Sequence, residues 1–286
     1  MKIISSPRSG FCFGVKRAVK LAEEAGAKKG TVFSLGPLIH NPVVIQELSE
    51  KGVKIISNLG EIHRGETLVI RSHGVHPQLL RQAREKGVKV IDATCPFVSR
   101  CQKLAQLLAR QGYRIIVFGD KNHSEVKSIV GFTDDQARVV ASPRDLARAV
   151  KGVSKIGLLS QTTQSLTAFK ELVGALLDLV PEVRIFNTIC HAATSRQEEA
   201  RKLSKKVDLA MVVGGKDSAN TRQLVSIFRQ ARVKTYHLED PRELKSFHLN
   251  GYKRIGVIAG ASTPDWITRK VIKYLKNLHR KGGIKS

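Results

Sequence analysis

Three of the four cysteines in this chain stand where a thiol could do chemistry. Cys12, Cys95 and Cys190 each close a strand-like run (KIISSPRSGFC, KVIDATC, VRIFNTIC) and open an amphipathic helical pattern. The free N–H groups and partial positive charge of a helix N-terminus favour the thiolate, which is the form that binds metals. The fourth, Cys101, falls on the stripe Val98, Cys101, Leu104, Ala105, Leu108, spaced for the buried face of a helix, and is expected in the core. Counting 28 residues forward from each of the first three thiols reaches His40, His123 and Ser218, just past the next strand-like run and its glycine turn. A further junction in each stretch carries His73 in IRSHGV, Thr162 and Thr163 in LSQTTQ, and Ser262 in AGASTPD. Each third of the chain therefore offers one thiol and two polar positions at strand ends.

Three equivalent thiolates suit zinc or an iron–sulfur cluster. In a four-iron cluster they leave one iron without a protein thiolate, an arrangement fitted to substrate chemistry rather than to electron transfer alone. His123-Ser124-Glu125 reads as the H-x-E of zinc deaminases, but the P-C-x-x-C half is missing, because Cys95 precedes Pro96 and lies upstream. A Walker A loop is absent too, since Gly215-Lys216 is followed by Asp217. His40, His73, His123, Ser218, Asn220 and Ser262, with helix N-terminal N–H groups beside them, supply the number of donors a diphosphate would use. Glu125 is the carboxylate in these junctions placed to deliver a proton. Asp120, Asp217 and Asp265 read as turn or capping residues, and the other six histidines as surface or core.

The elements that must hold these residues are legible in the periodicity. Apolar runs of four to seven residues (TVFSL, TLVIRS, KVIDAT, RIIVFG, KIGLLS, VRIFNT, LAMVVG, RIGVIAG) alternate with longer amphipathic stretches such as VKRAVKLAEEAG and FVSRCQKLAQLLARQG. That alternation predicts an α/β protein with parallel sheets, whose ligands bind outside the carboxyl ends of the strands. The threefold repeat predicts three similar α/β lobes, each with a small, mostly parallel sheet, around a pseudo-threefold axis with a central cluster site. The third repeat lacks its last strand, and KIISS at the N-terminus could supply it. The expected lobes are 13–94, 95–189 and 190–280 plus 1–12, followed by a basic tail, 281–286.

Composition bounds the surroundings. With 286 residues, 42% of them hydrophobic, the chain can bury a large core, and no window approaches a membrane span or a signal-peptide core. Four scattered cysteines exclude a disulfide scaffold, so a reduced, cytoplasmic protein is expected, as a monomer or weak dimer. The 49 Lys and Arg against 24 Asp and Glu give +25, a surface that attracts anionic substrates and acidic proteins. With 5% aromatics, dispersed basic residues and no finger, zipper or RNA-recognition signature, specific nucleic-acid binding is not expected.

FCFGV, GPLIHNPVV, RSHGV, DATCPFV, GDKNHSEV, LSQTTQ, NTIC, SRQ, KDSAN and AGASTPDW occur in this order from residue 11 to residue 266. In that combination the chain resembles the 4-hydroxy-3-methylbut-2-enyl diphosphate reductase family, iron–sulfur enzymes of the non-mevalonate isoprenoid pathway. The resemblance implies reductive removal of the allylic hydroxyl to give isopentenyl and dimethylallyl diphosphate. It implies a cluster, [4Fe-4S], on Cys12, Cys95 and Cys190. His40, His73, His123, Ser218, Asn220 and Ser262 then form the diphosphate cradle, and Glu125 with Thr162 delivers protons. An acidic electron donor such as ferredoxin or flavodoxin would suit the basic surface. The chain departs from the family pattern at Ser124, where Pro is common, at Ser128, where Gly is usual, and at Ala193, where Thr is frequent. The alternatives are a Cys₃ zinc hydrolase and a basic nucleic-acid-binding protein with structural cysteines.

Overall fold

The computed structural model describes residues 1–29 and 31–282, so the expected basic tail lies, from residue 283 on, outside the described residues. Strand β1 (Lys2–Ser5) opens the chain. Then follow α1 (Phe13–Lys29), β2 (Val32–Leu35), α2 (Pro42–Glu50), β3 (Val53–Ile56), β4 (Thr67–Ile70), α3 (Pro77–Glu85) and β5 (Lys89–Asp92). The next stretch is α4 (Pro96–Arg110), β6 (Arg114–Phe118), α5 (Ser124–Gly131), β7 (Arg138–Val140), α6 (Leu146–Val150), β8 (Lys155–Ser160), α7 (Leu166–Leu177) and β9 (Glu182–Ile185). The last comprises α8 (His191–Ser204), β10 (Leu209–Val213), α9 (Ala219–Gln230), β11 (Lys234–Leu238), β12 (Arg254–Ala259) and α10 (Asp265–Gly282).

These strands form three four-stranded sheets with one topology, β3-β2-β4-β5, β7-β6-β8-β9 and β11-β10-β12-β1, and every pairing is parallel. The third sheet takes its fourth strand from the N-terminus, with Ile3 opposite Ile255 and Ser5 opposite Val257. Without β1, β12 would present an unpaired edge. The central strands carry continuous apolar runs because helices cover both of their faces. In the third sheet Leu209, Met211 and Val213 pack with Ile267, Val271 and Leu275 of α10. Ala210 and Val212 pack oppositely, with Leu224 and Phe228 of α9 and Leu203 of α8. Each such Leu, Ile or Phe contributes roughly 2 kcal/mol of transfer free energy.

The chain divides into two compact units. Met1–Phe13, His40–Glu47 and His191–Ser286 form one, which holds the sheet containing β1, and Gly14–Ile39 with Leu48–Cys190 form the other, which holds the remaining two.

Among the described residues, no helix is long and apolar enough to cross a membrane.

Candidate active site

The threefold repeat has a common register. Phe33 opposite Leu68, Ile116 opposite Leu158, and Met211 opposite Val257 are matched rungs of the three sheets. Seven residues past the first member of each rung stand His40, His123 and Ser218. Four residues past the second member stand Ser72, Thr162 and Ala261, whose carbonyls accept the backbone N–H of Cys95 (2.9 Å), Cys190 (2.9 Å) and Cys12 (3.0 Å). One bond thus sets each thiol at the residue immediately before a helix, α4, α8 or α1. The approach differs among them: β1 ends at Ser5 and β9 at Ile185, so a loop leads into Cys12 and into Cys190, whereas β5 runs to Asp92, just before Cys95.

In the larger unit the residues selected by the repeat form a continuous chain of contacts. Thr162, just past β8, accepts the Cys190 N–H through its carbonyl. Its own N–H and hydroxyl donate to the Glu125 carboxylate at 2.6 and 2.9 Å. Glu125 is 2% exposed, and burial pushes its pKa up to about 7 against the opposing pull of the two Thr162 hydrogen bonds. Its backbone N–H donates to Nδ1 of His123, the N-cap of α5, at 3.2 Å. In the neutral ring that acceptor role places the proton on Nε2. The His123 ring meets His73 edge-on, with centroids 5.4 Å apart.

The turn bearing His73 is anchored from below. Ser72 donates through both its N–H (3.2 Å) and its hydroxyl (3.1 Å) to the Leu38 carbonyl. Buried Gln102 on α4 donates to Ser128 on α5 at 2.5 Å, and Ser128 donates on to the Val75 carbonyl at 3.2 Å. Gly74, at φ +72, rests on that pair, where an added Cβ would stand 2.4 Å from Gln102 Nε2 and 2.7 Å from Ser128 Oγ. The Cys95 helix, the Glu125 helix and the His73 turn are therefore joined by one buried polar link.

In the smaller unit Ser218 is the N-cap of α9 and accepts the Thr221 N–H at 3.3 Å, which leaves its hydroxyl proton to donate outward. Asn220 is 3% exposed, and neither its side-chain nitrogen nor its oxygen has a hydrogen-bond partner among the described residues. A buried amide left so costs about 1–3 kcal/mol per group, a penalty that a bound polar ligand would remove. Ser262 donates its hydroxyl to the His40 carbonyl at 3.0 Å, while Asn41 donates to the Ser262 carbonyl at 3.0 Å and caps α2. Serving as a donor to an anion therefore requires the Ser262 hydroxyl to rotate. Arg196, 6% exposed, donates to the Gly10 carbonyl at 2.8 Å in the loop before Cys12.

Cys101 lies where its helical stripe places it. It is fully buried in a core with Ala105, Leu108, Val117 and Ile129, its Sγ 3.7 Å from the Ser160 carbonyl. Burial, reinforced by the Glu125 charge, pushes its pKa up to about 12, so it stays a thiol. Cys12, Cys95 and Cys190 form no disulfide and are partly exposed. Three accessible thiols at helix starts, and a fourth sealed away, fit the donor set of a three-cysteine cluster. His76 caps α3 and pairs with Asp135, His237 binds the Gly214 carbonyl at 2.8 Å, and Asp120 closes a turn on Asn122, all structural roles.

Two features have only weak sequence signals. Thr163, not Thr162, is the register counterpart of His73 and Ser262, one residue past the carbonyl that holds Cys190; the rung count exposes this, whereas the adjacent pair of threonines conceals it. Gly14, the second residue of α1, faces Cys95, and a Cβ there would stand 2.4 Å from the thiol sulfur. Gly14→Ala is expected to destabilise the protein by about 1–3 kcal/mol through overpacking and to displace the Cys95 side chain. A urea midpoint equal to the parent's would show that α1 shifts without cost.

The profile of the LytB protein family matches residues 3–276. The 4-hydroxy-3-methylbut-2-enyl diphosphate reductase of Geobacter sulfurreducens is 43% identical over 281 residues, 98% of this chain and 99% of that one. A solved structure of (E)-4-hydroxy-3-methyl-but-2-enyl diphosphate reductase, the terminal enzyme of the non-mevalonate pathway, is 43% identical, with a TM-score of 0.70 over 97% of this chain and 100% of that one. The E-1-hydroxy-2-methyl-but-2-enyl-4-diphosphate reductase of Plasmodium falciparum is 29% identical, with a TM-score of 0.90 over 96% of this chain and 88% of that one. Full-length likeness in both sequence and fold makes the chain a member of the LytB family of 4-hydroxy-3-methylbut-2-enyl diphosphate reductases.

Proposed function

We propose that this chain removes the allylic hydroxyl of 4-hydroxy-3-methylbut-2-enyl diphosphate reductively, yielding isopentenyl and dimethylallyl diphosphate. The C–O bond breaks, two electrons and two protons are taken up, and the oxygen leaves as water. The observation that carries this reading is Thr162, which binds buried Glu125 through its N–H and hydroxyl and the Cys190 N–H through its carbonyl. It ties a proton-holding carboxyl to a candidate cluster ligand through one residue. Glu125, held protonated near neutral pH by burial, delivers a proton to the departing hydroxyl, and Thr162 orients it.

Cys12, Cys95 and Cys190 would hold the iron–sulfur cluster, read as [4Fe-4S]. When bound, such a cluster supplies electrons one at a time and a Lewis-acidic iron that lacks a protein thiolate. His40, His73, His123, Ser218, Asn220 and Ser262 take the diphosphate, with Asn220 gaining the hydrogen bonds it lacks and His123 donating from Nε2. Electrons come from a small acidic protein such as a ferredoxin or flavodoxin, steered by the +25 charge. The lobes follow 13–94, 95–189 and 190–280 with 1–12, a division supported by the shared sheet topology.

Anaerobic purification tests the reading. The protein is expected to be brown, with broad absorption at about 400 nm, and to turn over the hydroxylated diphosphate with a chemical reductant. A colourless sample unable to take up iron and sulfide would overturn it, and bound zinc with hydrolytic activity would favour the zinc alternative.

A further inference from the structure

A cavity of about 440 Å³ opens within the larger unit between α3 and α5. Its walls are apolar, from Val75, Leu79, Val130 and Val139, and its cationic lining comes from Arg71, Lys121 and Lys127. None of these three cations has a carboxylate partner among the described residues. The one acid in the lining, Asp135, is held by His76 at 3.2 Å. The Arg71 guanidinium is half-buried, and its hydrogen bond from Nε to the Gly74 carbonyl is a long one, 3.3 Å. Burial pulls its pKa below the usual guanidinium value, the mark of a desolvated charge without compensation. Ser124, also in the lining, has a buried hydroxyl with no hydrogen-bond partner among the described residues.

A charge taken out of water needs a counter-charge, and here the protein provides none. The apolar walls exclude a bare inorganic ion as the best fit, because it would cover them without gaining from them. The volume lies in the range of small-molecule sites. We infer that this cavity is a second anion site, which takes a phosphate ester with a short hydrocarbon chain, the phosphate between Arg71, Lys121 and Lys127 and the chain against Val75, Leu79, Val130 and Val139. It uses none of the thiols, histidines or hydroxyls assigned to the diphosphate cradle. A forked guanidinium meets two phosphate oxygens at once, and the lysines add point charges at the rim.

Calorimetric titration of the whole protein at low ionic strength with hexyl phosphate, and separately with inorganic phosphate, tests the assignment. Hexyl phosphate is expected to bind at least about tenfold more tightly than inorganic phosphate, through the buried chain. Arg71→Met is expected to weaken hexyl phosphate binding by about tenfold or more. Lys127→Gln, on an exposed side chain that cannot compromise folding, is expected to weaken it roughly threefold. Asn220→Ala, in the diphosphate cradle, should leave this binding unchanged. Hexyl phosphate binding that is equal in Lys127→Gln and Arg71→Met to the parent, or that is lost in Asn220→Ala, would overturn the proposal, the latter placing the ester in the cradle. Inorganic phosphate binding as tightly as the ester would also overturn it, because the apolar walls would then contribute nothing.

Discussion

Glu125→Gln is expected to retain the cluster and to bind the diphosphate, yet to lose turnover by about 10²-fold or more, the usual contribution of a positioned general acid. Gln matches the size of Glu, its amide oxygen can accept the Thr162 N–H and its NH2 can donate to the Thr162 hydroxyl, so the packing around α5 survives while the transferable proton disappears. Unchanged turnover would remove the acid role. Because Glu125 has its pKa pushed up to about 7, activity in the parent should fall as pH rises through that value, and the limb should be missing from the residual activity of the variant. Stability carries the same signature with a definite sign. The folded state keeps this proton up to about 7, whereas the unfolded chain releases it near the ordinary value of 4.5, so between those values the folded state binds more protons. Stability from this group therefore declines as pH rises through that window. Glu125→Gln should lack that decline, so its thermal midpoint should gain on the parent's from pH 5 to pH 8.

Cys95→Ala is expected to abolish iron and sulfide uptake, whereas Cys101→Ala, six residues along the same chain, should load fully. Cys95 ends the β5 junction, partly exposed at the start of α4, with Pro96 at the first helical position, where a missing N–H is no loss. Cys101 is about one and two-thirds turns further, sealed in the core, and its raised pKa opposes the thiolate that iron requires. Losing its sulfur leaves a small cavity and costs about 1 kcal/mol of stability, visible in the urea midpoint but not in the metal content. Equal iron content in the two variants would show that Cys95 is not a ligand.

The contrast between these two cysteines is legible in the sequence itself. Helical spacing places Cys101 on a buried stripe, and a strand-to-helix junction sets Cys95 apart, because burial and capping are written in short-range periodicity. The same local signals make the parallel α/β class and the threefold repeat readable, along with the strand-end positions of His40, His73, His123, Ser218 and Ser262. Tertiary structure alone decides the rest. That β1 pairs with β12 depends on contacts between residues some 250 positions apart. That Thr162 holds Glu125 while Thr163 takes the register of His73 depends on which face of a turn each hydroxyl occupies. That Gly14 leaves room for the Cys95 sulfur, and that Asn220 is buried with its amide unmatched among the described residues, depends on how separately folded helices approach. Sequence pattern records which face of an element is buried, but steric fit and hydrogen-bond partnership belong to pairs of distant residues, and only the folded chain brings those pairs together.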